Sequence, residues 1–234
     1  MPKPRGFILY EGPSVLNEVP IVAIATLNTT NRKTGPMIQT WILNKDTAPL
    51  EASKTGEDAA VCGICPLRHH NNGSCYVVIA HAPRGVWNAF QAGTYEQFSE
   101  TLHSGHFEGR SIRLGAYGDP AAVPYEVWAR IVALTASHTG YTHQAAHRNF
   151  DRRITLVCMV SADTPAQATK VQRQGHSTFR VRRTGEPLQR GELECMSERG
   201  LTCEECLLCS GNGSANIAIN AHGSFLRRPI QISA

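Results

Sequence analysis

Apolar and polar positions follow two different rhythms along this chain. Residues 21–27 and 37–43 are short β-branched runs, and the polar stretch 28–36 between them ends in Gly35-Pro36. This pattern predicts a β-hairpin. A hairpin alone is marginal in water, so the first fifty residues are expected to pack on something larger. From residue 76 the rhythm changes. A short apolar run over 76–80 precedes a helix opened by Pro83, with Val86, Trp87 and Phe90 at near-helical spacing. A strand over 111–116 runs into Tyr117-Gly118-Asp119-Pro120. Pro124 then opens a helix that places Val127, Ile131 and Leu134 on one face. Residues 140–144 read as a short strand, and 154–161 as a buried strand ending in Ala162-Asp163. A further helix starts at Thr164-Pro165, with Thr164 or Asp163 as N-cap, and closes at Gly175. Strands over 178–182 and 217–220 complete the series.

Strands alternating with helices point to βαβ units and a mainly parallel sheet. With right-handed crossovers, such units close into a barrel or form an open sheet. A full eight-fold barrel takes at least about 200 residues. The hairpin and two cysteine-rich loops use up much of the 234 residues available. The expected fold is therefore α/β: a small or incomplete (β/α) barrel, with an N-terminal β-hairpin over 1–50, a core over 60–225 and cysteine-rich metal-binding loops, all in one domain.

Composition narrows the class. With 41% hydrophobic and 18% charged residues, a disordered charged tail is excluded. No run of eighteen apolar residues occurs and the start lacks an apolar signal core, so a soluble cytoplasmic protein with no membrane partner is expected. The net charge of +4 permits a nucleic-acid partner without requiring one. Arginines cluster at Arg148, Arg152 and Arg153, at Arg180, Arg182, Arg183 and Arg190, and at Arg227 and Arg228. The plain reading of such clusters is a solvated face.

Eight cysteines change the picture most. In a reducing compartment they are metal ligands before they are disulfides. Cys203-x2-Cys206-x2-Cys209, with Cys195 eight residues earlier, supplies four thiols for a tetrahedral zinc ion or an iron–sulfur cluster, and His222 is an alternative fourth ligand. Cys62-x2-Cys65-x9-Cys75 supplies three more, with His69 and His70 between them for a Cys₃His zinc site. One site sharing ligands from both groups is a third arrangement. The common radical-enzyme spacing C-x3-C-x2-C is absent, which favours structural Zn²⁺ over an iron–sulfur cluster. Cys158, in an apolar run, reads as a packed core thiol.

In parallel α/β folds the functional face lies at the carboxyl ends of the strands. Asp119 and Asp163 fall there and can divide the roles of nucleophile and general acid. Each also has a structural reading, Asp119 as a turn residue and Asp163 as a helix cap. Arg113, Tyr117, Tyr141 and His143 surround them and suit a flat polar ligand. The tyrosines can stack on a base, and His143 can serve as acid, base or base-edge reader. No dinucleotide, P-loop, hydrolase-elbow or metalloprotease signature is present.

Three stretches carry a resemblance: Gly63-Ile64-Cys65-Pro66-Leu67-Arg68 with Gly73-Ser74-Cys75-Tyr76, Arg113-Leu114-Gly115-Ala116-Tyr117-Gly118-Asp119-Pro120, and Thr139-Gly140-Tyr141-Thr142-His143. They resemble a family of small cysteine-rich proteins of phages and mobile elements, which is in turn similar to the phage DNA-guanine transglycosylases, relatives of tRNA-guanine transglycosylase. The resemblance implies a barrel with structural zinc and exchange of a guanine in DNA for a 7-deazaguanine base. In that chemistry an aspartate attacks C1′ and a second acid assists departure of guanine. Asp119 and Asp163 are the acids to match, in either order. Cys203, Cys206, Cys209 and His222 would match the zinc ligands. The relatives space their thiols C-x-C-x2-C and carry a Gly-Gly-Phe-Gln motif, neither of which stands here. Two other functions fit the cysteine pattern: a radical-type iron–sulfur enzyme, and a non-catalytic zinc-stapled module that binds nucleic acid or a host protein.

Overall fold

The computed structural model describes residues 3–213 and 215–223. Arg227 and Arg228 lie outside the described residues. The described residues form one ten-stranded sheet with helices packed against it. The expected hairpin is present and is wider than the sequence pattern suggested. β1 (Gly6–Pro13), β2 (Pro20–Thr26) and β3 (Ile38–Asn44) pair antiparallel in sequence, with Ile21 opposite Asn44 and Thr26 opposite Gln39. The short β4 (Glu96–Gln97) adds to the outside of β1.

From β3 onward the sheet is parallel. β5 (Ser111–Tyr117), β6 (Ser137–Thr142), β7 (Met159–Ala162), β8 (Thr178–Arg182) and β10 (Asn216–Asn220) follow one another across it, and β9 (Glu192–Glu194) lies outside β10. The two ends of the order are β4 and β9, which do not pair. The sheet is therefore open, and the expected barrel does not close. The antiparallel hairpin occupies the flank where further βα units would have to continue.

The three expected helices form. α1 (Ala82–Gln91) precedes β4, α2 (Tyr125–Leu134) connects β5 to β6, and α3 (Pro165–Arg173) connects β7 to β8. The expected face of α2 packs on the core, with Ile131 fully buried and Val127 and Leu134 half-buried. Trp128 is fully buried beside Ile131, and its indole donates to Pro120 O at 2.8 Å. Both helical residues join the core built by Ile112 and Leu114. The expected strand over 154–161 is shorter than predicted. Asp151 accepts from Arg153 N at 2.9 Å and starts a 3₁₀ turn over Arg152–Leu156, so extended backbone begins only at Met159. Cys158 is buried against Gly140, as the apolar run predicted.

In the arginine cluster of the C-terminal half, Arg183 and Arg190 are exposed as a solvated face requires, but Arg180 and Arg182 are not. Arg180 is 1% exposed and pairs with Glu192 through Nε–Oε1 and Nη2–Oε2, both at 2.8 Å, and with Glu186. Arg182 pairs with Glu194 at 2.5 Å. These side chains brace β8, β9 and the connection between them from within. Among the described residues no helix is long and apolar enough to cross a membrane.

Candidate functional site

Successive side chains of a strand point to opposite faces of a sheet, so alternate residues of neighbouring strands share one surface. On one such surface Arg113 and Tyr117 of β5, Tyr141 of β6, Ser161 of β7, and Phe179 and Val181 of β8 line a chamber of about 140 Å³. His143 and Asp163, just past the ends of β6 and β7, complete its rim, together with Asp119 beyond β5. A second chamber of about 430 Å³ adjoins it and shares Tyr76, Arg113, Tyr141, Phe179 and Val181 as its wall. The larger chamber falls within the range of ligand pockets, about 300–1,000 Å³. All six residues expected to act on or bind substrate are thus brought to one place. Tyr76 and Phe179 are further wall residues that the sequence reading missed. Tyr76 enters the sequence as the last residue of a cysteine motif, and Phe179 as part of a strand, with nothing to mark either as a wall of the site.

The two acids differ in their surroundings. Asp119 is buried, and both its oxygens are occupied. Oδ1 accepts from Ala121 N at 3.0 Å, while Oδ2 accepts from His143 N at 2.7 Å and from Gln144 Nε2 at 3.3 Å. Burial pushes its carboxyl above the ordinary carboxylate range, against the opposing pull of the Ala121 and His143 N–H groups. Asp163 is held by less. Its Oδ1 meets His143 Nε2 at 3.3 Å. Thr164, not Asp163, caps α3, accepting from Gln167 N at 3.1 Å. The structural reading therefore describes Asp119 and leaves Asp163 facing the chamber. Burial disfavours a charged His143 ring, but Cys65 and Asp163 outweigh it and hold the imidazole well above its usual pKa.

The first cysteine group opens onto the same space. Cys62, Cys65 and Cys75 all line the smaller chamber. Their loop is tied down on both sides. Arg68 donates to Asp58, to Gly63 O at 3.1 Å and to Gly56 O at 2.7 Å. Gln144, fully buried, donates to Cys62 O at 2.9 Å and accepts from Ile64 N at 3.0 Å. Gly63 has φ +51°, and a Cβ there would stand 2.1 Å from Gln144 Oε1. Gln144 is thus the clamp between the cysteine loop and Asp119, a role no sequence pattern announces. His69 Nε2 faces Val77 O at 3.5 Å, His70 Nδ1 faces Lys54 O at 3.1 Å, and neither lines this chamber.

The second group lies across the shared wall. Cys195, Cys203 and His222 line the larger chamber. Cys195 and Cys206 stand near enough to Cys203, and Cys195 and Cys203 near enough to Cys209, to disfavour ionisation of the Cys203 and Cys209 thiols. Burial, the larger cause, pushes Cys209 up to about 12 and Cys75 to about 11. Among the described residues no three His, Cys, Asp or Glu side chains are drawn close enough to hold a metal ion as they stand. In donor chemistry both groups nonetheless suit a thiophilic metal, being thiol-rich and crowded.

Comparison with protein families, curated proteins and solved structures finds no match for this chain.

Proposed function

We propose that the paired chambers are the active site of a nucleobase-modifying enzyme, which exchanges guanine in DNA for a 7-deazaguanine base. The observation that carries this reading is the convergence of Asp163, His143 and the tyrosine wall on one chamber. Asp163 is the nucleophile in this scheme, because its Oδ2 has no partner among the described residues, whereas Asp119 is fully engaged. The carboxylate attacks C1′, and the C1′–N9 bond breaks with its electron pair going to guanine. His143 gives that base its proton. The incoming 7-deazaguanine returns a proton to His143, attacks C1′ and releases Asp163. Asp119 positions His143 through its backbone N–H. Tyr141 and Phe179, with ring centroids 4.4 Å apart, offer a surface for the base.

A Zn²⁺ ion in this reading is held by Cys195, Cys203, Cys206 and Cys209, with His222 as an alternative donor, and supplies folding free energy to the β9–β10 region. The test is mass spectrometry of nucleosides from DNA of cells expressing the protein. The wild type should yield a 7-deazaguanine nucleoside and Asp163→Ala should not, with its circular dichroism unchanged. Unmodified DNA in the wild type, or full modification by Asp163→Ala, sinks the reading.

One observation favours a second reading, a radical-type iron–sulfur enzyme. Cys62, Cys65 and Cys75 line the chamber itself, so a cluster on these three thiolates would face the substrate with one position open. An anaerobic preparation with stoichiometric iron and sulfide supports it. A colourless protein with zinc alone counts against it.

A further inference from the structure

Arg180 is buried, Arg68 and Arg182 are largely buried, and all three come with carboxylates; the buried Arg113 does not. Arg68 has Asp58, Arg180 has Glu192 and Glu186, and Arg182 has Glu194. Arg113 is only 7% exposed and has no carboxylate within 4 Å among the described residues. Its Nη2 donates to Tyr76 Oη at 3.1 Å, and its Cζ lies 4.9 Å from the centroid of the Tyr141 ring. These two contacts orient the guanidinium and leave its charge without an opposite charge. Removing a cation from water is costly unless an anion meets it. A guanidinium also carries five donors in a planar fork, more than Tyr76 uses. The side chain lines both chambers, so the missing partner has room to enter.

We propose that Arg113 is the subsite for an anionic phosphate on the ligand that fills the two chambers. The fork matches two phosphate oxygens, and the aromatic wall beside it suits a planar base, which together specify a nucleotide rather than a free base. This rests on reading the chambers as a nucleobase site and deepens it: the phosphate enters with the nucleotide whose base is exchanged. The phosphate can belong to a free nucleotide or to a nucleotide turned out of a DNA strand. An internal occupant is the rival explanation, because thiolates around Cys203 on the neighbouring wall could supply the countercharge themselves when a metal is bound.

The experiment is calorimetric titration of the full-length, metal-analysed protein with guanosine and with guanosine 5′-monophosphate. The monophosphate should bind the wild type about tenfold or more tightly than the nucleoside. Arg113→Met should erase that preference, so that the two ligands bind alike, while Arg113→Lys should retain part of it. Equal binding of the two ligands by the wild type overturns the subsite, and needs no variant to fold. So does a preference that survives in Arg113→Met. Loss of zinc from Arg113→Met, with no phosphate preference in the wild type, also overturns it and assigns the guanidinium to the thiolates. A short single-stranded oligodeoxynucleotide that displaces the monophosphate places the phosphate on DNA, and failure to displace it places the phosphate on a free nucleotide. Guanosine binding without phosphate preference would sink the subsite and leave the nucleobase reading standing. DNA left unmodified by the wild type would sink that reading and leave a measured phosphate preference intact.

Discussion

The backbone N–H of His143 donates to Oδ2 of Asp119 at 2.7 Å, although 24 residues separate them. This bond ties the end of β6 to the end of β5 at the rim of the smaller chamber. It also directs the His143 side chain toward Asp163.

Asp119→Asn should therefore damage stability. An amide turned toward the N–H donors of Ala121, His143 and Gln144 leaves buried groups unsatisfied, at a cost of about 1–3 kcal/mol. Urea unfolding measures it. The pH dependence has a defined sign. The folded carboxyl lies above its ordinary value of 3.8, so the folded chain holds this proton more tightly than the unfolded one. The stability so gained is complete below that value and is lost as pH rises through the raised pKa. Wild type should show this fall relative to Asp119→Asn, and parallel pH profiles would refute it.

Thr164→Ala should separate the helix cap from the chemistry. Loss of the bond to Gln167 N should cost about 1 kcal/mol, while base exchange continues. A variant that keeps its stability but loses activity would contradict the division between Thr164 and Asp163.

Glu192→Ala should be among the most damaging single changes. It removes two 2.8 Å bonds from Arg180 and leaves a guanidinium that is 1% exposed. Breaking such a pair costs about 3–5 kcal/mol, with Glu186 retaining part of the compensation. Thermal and urea unfolding should both show the loss.

Metal uptake should be steeply dependent on pH. Burial raises Cys203 and Cys209, so a bound thiophilic metal must displace their protons. Zinc affinity, read by chelator competition, should rise about tenfold per pH unit for each proton released. An affinity flat across neutral pH would show that these thiols are not the ligands.

Much of the parallel half was legible because its signals are local. Pro165 with Thr164 before it, and the short stretch over 111–116 that ends in the turn residues Gly118-Asp119-Pro120, need no distant partner to be read. Three features depended on tertiary context. β1 pairs with β2 across a register shift near Tyr10, so its apolar rhythm is broken. The 3₁₀ turn before β7 is set by the Asp151 side chain, which outweighs the strand propensity of Ile154 and Val157. Arg180 and Arg182 looked like surface charge because their partners, Glu186, Glu192 and Glu194, lie in a loop and a short strand with no apolar pattern. The candidate site was legible as residue types at strand ends. That the first thiol group shares the chamber of Asp163 was not, because Gln144 makes that junction across 82 residues.

The wall common to both chambers has an energetic consequence. Tyr76, Arg113 and Tyr141 cannot settle against an occupant on one side without altering what the other side offers. If the proposed metal is held beside Cys203 and the proposed ligand beside Asp163, the two should bind reciprocally, each changing the affinity of the other by the same factor.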